Sequence, residues 1–101
     1  MIHRINPQPQ WSDAVVHNGC AYFVEVPESG TDIANQTQAL LAHAERTLAN
    51  CGSDKTRLLI ATIYLKHMTD RAAFNAIWAD WLPEGSAPAR VCVSAEMASP
   101  D

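Results

Sequence analysis

Short β-prone runs fill the first quarter of the chain. Residues 2–5 form a brief extended stretch stopped by Pro7 and Pro9, which resist both helix and central strand, so an edge strand is predicted. Residues 14–17 and 20–26 flank Asn18-Gly19, a dipeptide that readily takes the positive φ angles of a type I′ turn, and this predicts a hairpin. Pro27-Glu28-Ser29-Gly30 breaks the pairing, and Thr31 or Asp32 can cap a following helix.

From Ile33 to Asn50 the period lengthens to about 3.6 residues. Ile33, Leu40, Leu41 and Leu48, with Ala34, Thr37 and Ala44 between them, make one stripe, and Gln36, His43 and Arg46 are read as lying off it. Cys51-Gly52 should end this helix. Residues 57–66 are rich in β-branched and aromatic side chains and predict a strand. Thr69 can cap a second helix over residues 70–82, with Phe74, Ile77, Trp78 and Trp81 as its buried stripe. A loop over residues 83–88 leads to a last strand over residues 90–97. The predicted order is β-β-β-α-β-α-β in a single domain, residues 1–101, with no internal repeat and no linker.

A sheet with one wet face alternates apolar and polar residues, but residues 58–65 (Leu-Leu-Ile-Ala-Thr-Ile-Tyr-Leu) barely alternate. Two helices shield one face, and the rest of the chain holds nothing to shield the other. A second copy of the chain is therefore expected to cover it; the plainer alternative leaves Thr62 and Tyr64 on a lightly exposed face.

Composition points the same way. Apolar residues make up 48% of the 101, but 16 of them are alanine, so the core is thin and further burial is worth seeking. The formal charge is −4 with no basic run, which argues against electrostatic docking onto nucleic acid or anionic membrane. The longest nearly apolar segment falls far short of the roughly 20 residues of a membrane span. Three widely spaced cysteines and an N-terminus without a hydrophobic leader predict free thiols in a reducing, cytoplasmic setting.

Arg90 is the candidate with the most unusual setting. It opens the apolar run Val91-Cys92-Val93, where a permanent charge requires a partner, and its planar fork suits bidentate binding of a carboxylate. That partner can equally be a protein acid such as Glu96 or Asp80, or solvent. Period-two geometry sets Arg90, Cys92, Ser94 and Glu96 on one face. A guanidinium nearby favours thiolate at Cys92, but no histidine is near it in sequence, and a small buried thiol is the plainer role. His3, His17, His43 and His67 have no metal-ligand spacing, so no metal site is read. No nucleotide-binding glycine motif occurs, and Trp78 and Trp81 read as core or interface. Asn75, beside Phe74, is a surface amide or a loop cap.

Taken together, the element order, the segment Asp70-x-x-x-Phe74-Asn75-x-x-Trp78-x-x-Trp81 and the stretch Ala87-Pro88-Ala89-Arg90-Val91-Cys92-Val93 resemble the YjgF/RidA family. Trp11-Ser12-Asp13 and His17-Asn18 point within it to the short YoaB-like branch, and the resemblance covers residues 5–101. It implies an α+β fold like that of a bacterial chorismate mutase, a β-sheet with two helices packed on one face, assembled as a homotrimer with clefts between subunits. It also implies a small carboxylate ligand, a 2-imino or 2-oxo acid, and no cofactor. In deaminase members the arginine matching Arg90 holds the substrate carboxylate, backbone groups near Cys92 position the imine and water, and the positions matching Asn75 and Trp11 lie near the cleft.

Three departures from that pattern bear on activity. Val24 and Glu25 stand where deaminases usually carry a small hydroxyl residue and glycine, and Trp11 stands where tyrosine is frequent. The family's last strand, bearing a glutamate thought to handle protons, follows the segment matching residues 99–101 and is missing, which leaves residues 91–97 with an open edge. Glu96 lies roughly 20 Å along the strand from Arg90, too far to substitute, and Glu25 is the other candidate. The expectation is a carboxylate-binding trimer, with 2-iminobutanoate/2-iminopropanoate deaminase-like hydrolysis as its reaction. The alternative is a non-catalytic, regulatory binder. The endoribonuclease activity associated with the family is disfavoured by the acidic charge.

Overall fold

Asn18 and Gly19 adopt φ angles of 52° and 77°, the pair of left-handed residues that a two-residue hairpin turn demands. They join β2 (Ala14–His17) to β3 (Cys20–Phe23), and β1 (His3–Ile5) pairs on the other side of β2. The structure, a computed structural model, describes residues 1–27 and 32–96. Beyond the hairpin come α1 (Ile33–Asn50), β4 (Ile60–Leu65), α2 (Arg71–Trp81) and β5 (Ala89–Ser94), in the predicted order. Glu28, Ser29, Gly30, Thr31 and Met97, which figured in the predicted turn, cap and last strand, lie outside the described residues.

Asp32 supplies the helix cap: its carboxylate accepts from the Asn35 backbone N–H at 2.8 Å. At the far end Gly52, at φ 76°, lets its own N–H reach the Ala49 carbonyl (3.0 Å) and the Ser53 N–H reach the Leu48 carbonyl (2.8 Å). Both bonds satisfy helix-end carbonyls, and the left-handed backbone they need is why the helix stops at glycine.

Several boundaries differ from the predicted ones. The run expected over residues 20–26 is strand only to Phe23. Arg57 belongs to a short 3-10 turn, Lys55–Arg57, because the Asp54 carboxylate captures the Thr56 N–H and closes a local turn before β4 begins. Thr69 does not cap α2; it sits inside a 3-10 turn, Met68–Asp70, closed by the Asp70 N–H on the His67 carbonyl (3.0 Å). Gln36, placed off the apolar stripe, is buried at 8% exposure. It stands three residues after Ile33 and four before Leu40, so geometry puts it on the stripe whatever its polarity.

The strands form two groups. β1-β2-β3 is an antiparallel sheet, and β4-β5 is a parallel pair whose crossover is α2. Both helices pack on the same side of both groups. Ala14, at 1% exposure, and Glu25, whose carboxylate accepts from the Thr47 hydroxyl of α1 at 2.6 Å, mark that side in the hairpin. Leu65 marks it in β4, and Leu41, Ala44, Leu48 and Phe74 of the helices complete a small core. The molecule is a slab of 41 × 36 × 20 Å, and its thin dimension is that of one helix layer on one sheet layer.

On the opposite side β4 shows Ile60 (71% exposed) and Tyr64 (60%), β5 shows Val91 and β3 shows Tyr22. Burial alternates along β4 although hydropathy does not: Ala61, Ile63 and Leu65 face the helices, whereas Ile60, Thr62 and Tyr64 face out. The lack of alternation in the sequence thus marks a face that is apolar and uncovered within one chain.

Across the outer surface, Glu45 of α1 accepts from Lys55 Nζ (3.1 Å) and from the Trp81 indole N–H of α2 (2.5 Å). The Lys55 bond first, and then the Trp81 bond, hold the Glu45 carboxyl below its ordinary value of 4.5. A carboxyl lowered in the folded state contributes stability above its unfolded pKa and loses it as pH falls through the folded one. The Trp81 indole N–H resonance should therefore titrate with a midpoint below 4.5, and Glu45→Gln should abolish that step. Independently, Asp32→Ala should cost about 1 kcal/mol and lower the melting temperature by roughly 4–8 °C, measured calorimetrically.

Candidate functional site

The loop before β5 is shaped by Gly85 at φ 80° and by Ser86, whose hydroxyl and N–H both donate to the Pro83 carbonyl (2.6 and 3.1 Å). It returns the chain so that the Ala89 N–H meets the Leu59 carbonyl and the parallel ladder starts. Register then pairs Arg90 with Ala61 and Cys92 with Ile63. Arg90 and Cys92 thus share the helix-facing side of β5, and the small Ala61 beside Arg90 leaves room for a long side chain.

The Arg90 guanidinium meets neither Glu96 nor Asp80. Its central carbon lies 5.9 Å from the Phe74 ring centroid and 5.8 Å from that of Trp78. These two rings, one helical turn apart on α2, stack with centroids 5.9 Å apart and planes inclined by 22°. No carboxylate among the described residues forms an ion pair with Arg90, and none of them accepts a hydrogen bond from it. A half-buried cation is held by aromatic faces instead.

Cys92 is a half-buried free thiol on the same strand face. Asn75 follows Phe74 on α2, and its Oδ1 is buried without a hydrogen-bond partner among the described residues. Arg90 and Cys92 therefore share the inward strand face, where Arg90 meets α2 through Phe74 and Trp78, and Asn75 is the neighbour of Phe74 on that helix. Trp11 is placed elsewhere: it is 62% exposed and, with Ser12, Asp13, Val24 and Val26, lines a surface cavity of about 540 Å³. Arg90 is not among the residues that line that cavity. Glu25 is bonded to Thr47, and Glu96 lies beyond the end of β5.

Two features of the site are not evident from sequence spacing. Of the stripe predicted to be buried, Phe74, Ile77, Trp78 and Trp81, only Phe74 is buried, and the Phe74 and Trp78 rings both face the arginine. The signal was an i, i+4 aromatic pair on a helix that precedes a strand opening with arginine. The second is His17, whose Nδ1 is buried without a partner among the described residues, a burial that its spacing from the other histidines does not reveal. Among the described residues no group of three His, Cys, Asp or Glu side chains comes together to hold a metal ion, and no helix is long and apolar enough to cross a membrane.

Comparison with known proteins places this geometry. The family profile described as Endoribonuclease L-PSP matches residues 1–101. The RutC family protein YoaB of Escherichia coli (strain K12) is 40% identical over 100 residues, which cover 98% of this chain and 88% of that protein. A crystal structure of a YjgF family member from Neisseria meningitidis superposes with a TM-score of 0.94 at 44% identity, covering 99% of this chain and 85% of the other. A shorter match, 33% identical over 70 residues, covers 69% of this chain and 55% of a protein named 3-aminoacrylate deaminase RutC from Acinetobacter baylyi. With the α+β architecture, the hairpin and the arginine-led strand all in place, the chain belongs to the YjgF/RidA family.

Proposed function

We propose that this chain captures small carboxylates, 2-oxo and 2-imino acids, through Arg90. The observation that carries the reading is a half-buried guanidinium whose N–H donors have no acceptor among the described residues, although such a charge calls for an anion. A planar ligand carboxylate fits that fork. The relative named as a 3-aminoacrylate deaminase supports a substrate in which an amino or imino nitrogen stands close to a carboxylate.

The reaction that follows is hydrolysis. 2-Aminoacrylate tautomerises to 2-iminopropanoate; water adds to the imine carbon, the C–N bond breaks, and pyruvate and ammonia leave. Arg90 would fix the carboxylate and offset its charge, and family resemblance suggests that backbone groups near Cys92 and the side chain of Asn75 would stand near the imine. A second reading, binding without turnover, has its own observation: Glu25, the candidate proton carrier, is engaged with Thr47 of α1. RNA cleavage, the activity in the family profile's description, fits poorly with a charge of −4 and no basic run.

The uncovered apolar face supports self-association, with a homotrimer as the form that family membership suggests. Covering the exposed parts of Ile60, Tyr64, Val91 and Tyr22 contributes about 25 cal/mol for each Å² of apolar surface removed from water, an incentive for copies to meet there. Trp11 and its cavity would then reach a site only through a neighbouring subunit.

Three outcomes are expected. Arg90→Ala should weaken 2-oxobutanoate binding about 10- to 100-fold in calorimetry; unchanged affinity would remove the assignment. Freshly generated 2-aminoacrylate should yield pyruvate faster than its spontaneous decay if the chain is a deaminase, and at the spontaneous rate if it only binds. In sedimentation at micromolar concentration the wild type should run as a trimer, and Ile60→Lys/Tyr64→Lys should run near 11.0 kDa.

A further inference from the structure

Phe74, Trp78 and Trp81 form a continuous aromatic ladder along one side of α2. The centroids are 5.9 Å apart between the first two rings and 5.6 Å between the last two, where the planes tilt by 40°. A cation sits at each end. Arg90 lies over the inner two rings, and Lys55 Nζ stands 5.2 Å from the centroid of Trp81. The outer ring is pinned twice, by Lys55 over its face and by its indole N–H on Glu45. Trp78 therefore leans on a ring whose place is fixed from α1, and Arg90 leans on Trp78.

We propose that Trp78, supported by Phe74, is a positioning residue that holds the Arg90 guanidinium ready for an anionic ligand. This rests on the reading of Arg90 as the carboxylate-binding group. The physical reason lies in what each kind of partner uses up. A protein carboxylate would steady the guanidinium by occupying its N–H donors, and a ligand would then have to displace it. Aromatic faces attract the cation through the ring quadrupole and leave those donors for the incoming carboxylate. They also restrict a long, flexible side chain before the ligand arrives, so less ordering remains to be done on binding. Phe74 is buried and would be needed for packing alone; Trp78 is only half-buried, and its inner face is turned to a charge.

The test combines a ligand-free signature with affinity. Ring currents should move the Arg90 Nε–H and δ-methylene proton resonances upfield of those of an ordinary exposed arginine. The shift should persist in Trp78→Phe, which keeps a ring face, and shrink in Trp78→Leu, which keeps apolar bulk alone. Calorimetry with 2-oxobutanoate should show affinity about 5- to 10-fold weaker in Trp78→Leu, with Trp78→Phe recovering most of the loss. A folded wild type with unshifted Arg90 resonances would overturn the proposal without requiring any variant to fold. So would a Trp78→Leu variant that binds as the wild type does, or a Trp78→Phe variant as weak as Trp78→Leu, since volume and not the ring face would then be what matters. In those cases loss of binding in Arg90→Ala would leave the carboxylate reading intact. Wild-type binding that Arg90→Ala leaves unchanged would remove both.

Discussion

A layer of strands has two faces, and in this fold two helices cover only one of them. The helix-covered face, with Ala14, Ile63 and Leu65, supplies one wall of the small core. The other face carries Ile60, Tyr64, Val91 and Tyr22 into the open. Residues 58–65 must satisfy both environments at once, so the segment is apolar on each side. The same constraint accounts for the slab shape and for a core with so few large side chains fully withdrawn from solvent.

It also decides what kind of place the arginine occupies. Because β5 runs parallel to β4 with Ala61 next to Arg90, the guanidinium is directed into the layer between sheet and helix. A charge there needs compensation, and α2 supplies it with ring faces where an acid would have been the simpler answer. The chemistry proposed for the site depends on that choice, since an internal ion pair would leave nothing for a ligand to bind.

Most of the fold was legible in the order of residues because its signals are local. Asn18-Gly19 specifies its turn by the backbone angles those residues tolerate, and Ile33 to Asn50 specifies its helix by period, cap and terminal glycine. What is not legible has two causes, local hydrogen bonds that hydropathy does not record and side-chain companions distant in sequence. The 3-10 turns at Lys55–Arg57 and Met68–Asp70 arise from a captured N–H and a closed carbonyl, which alter boundaries without altering hydropathy. Gln36 is polar yet buried, because its helical position and not its polarity decides which face it joins. At the site, Arg90 stood out at once as a charge opening an apolar strand. Its partners did not, since a side chain's companions across a crossover connection leave no mark on spacing. Trp11 is associated with Arg90 by family resemblance alone, and in the single chain it lines a cavity with Ser12, Asp13, Val24 and Val26.

The three tryptophans end up in three unlike surroundings. Trp11 stands mostly in solvent, Trp78 lies against a guanidinium, and Trp81 donates to a carboxylate beneath an ammonium group. Their emission is consequently a composite in which a water-borne quencher reaches one indole well before the other two. The protein thus carries intrinsic optical reporters at its rim, at its arginine and at its helix seam.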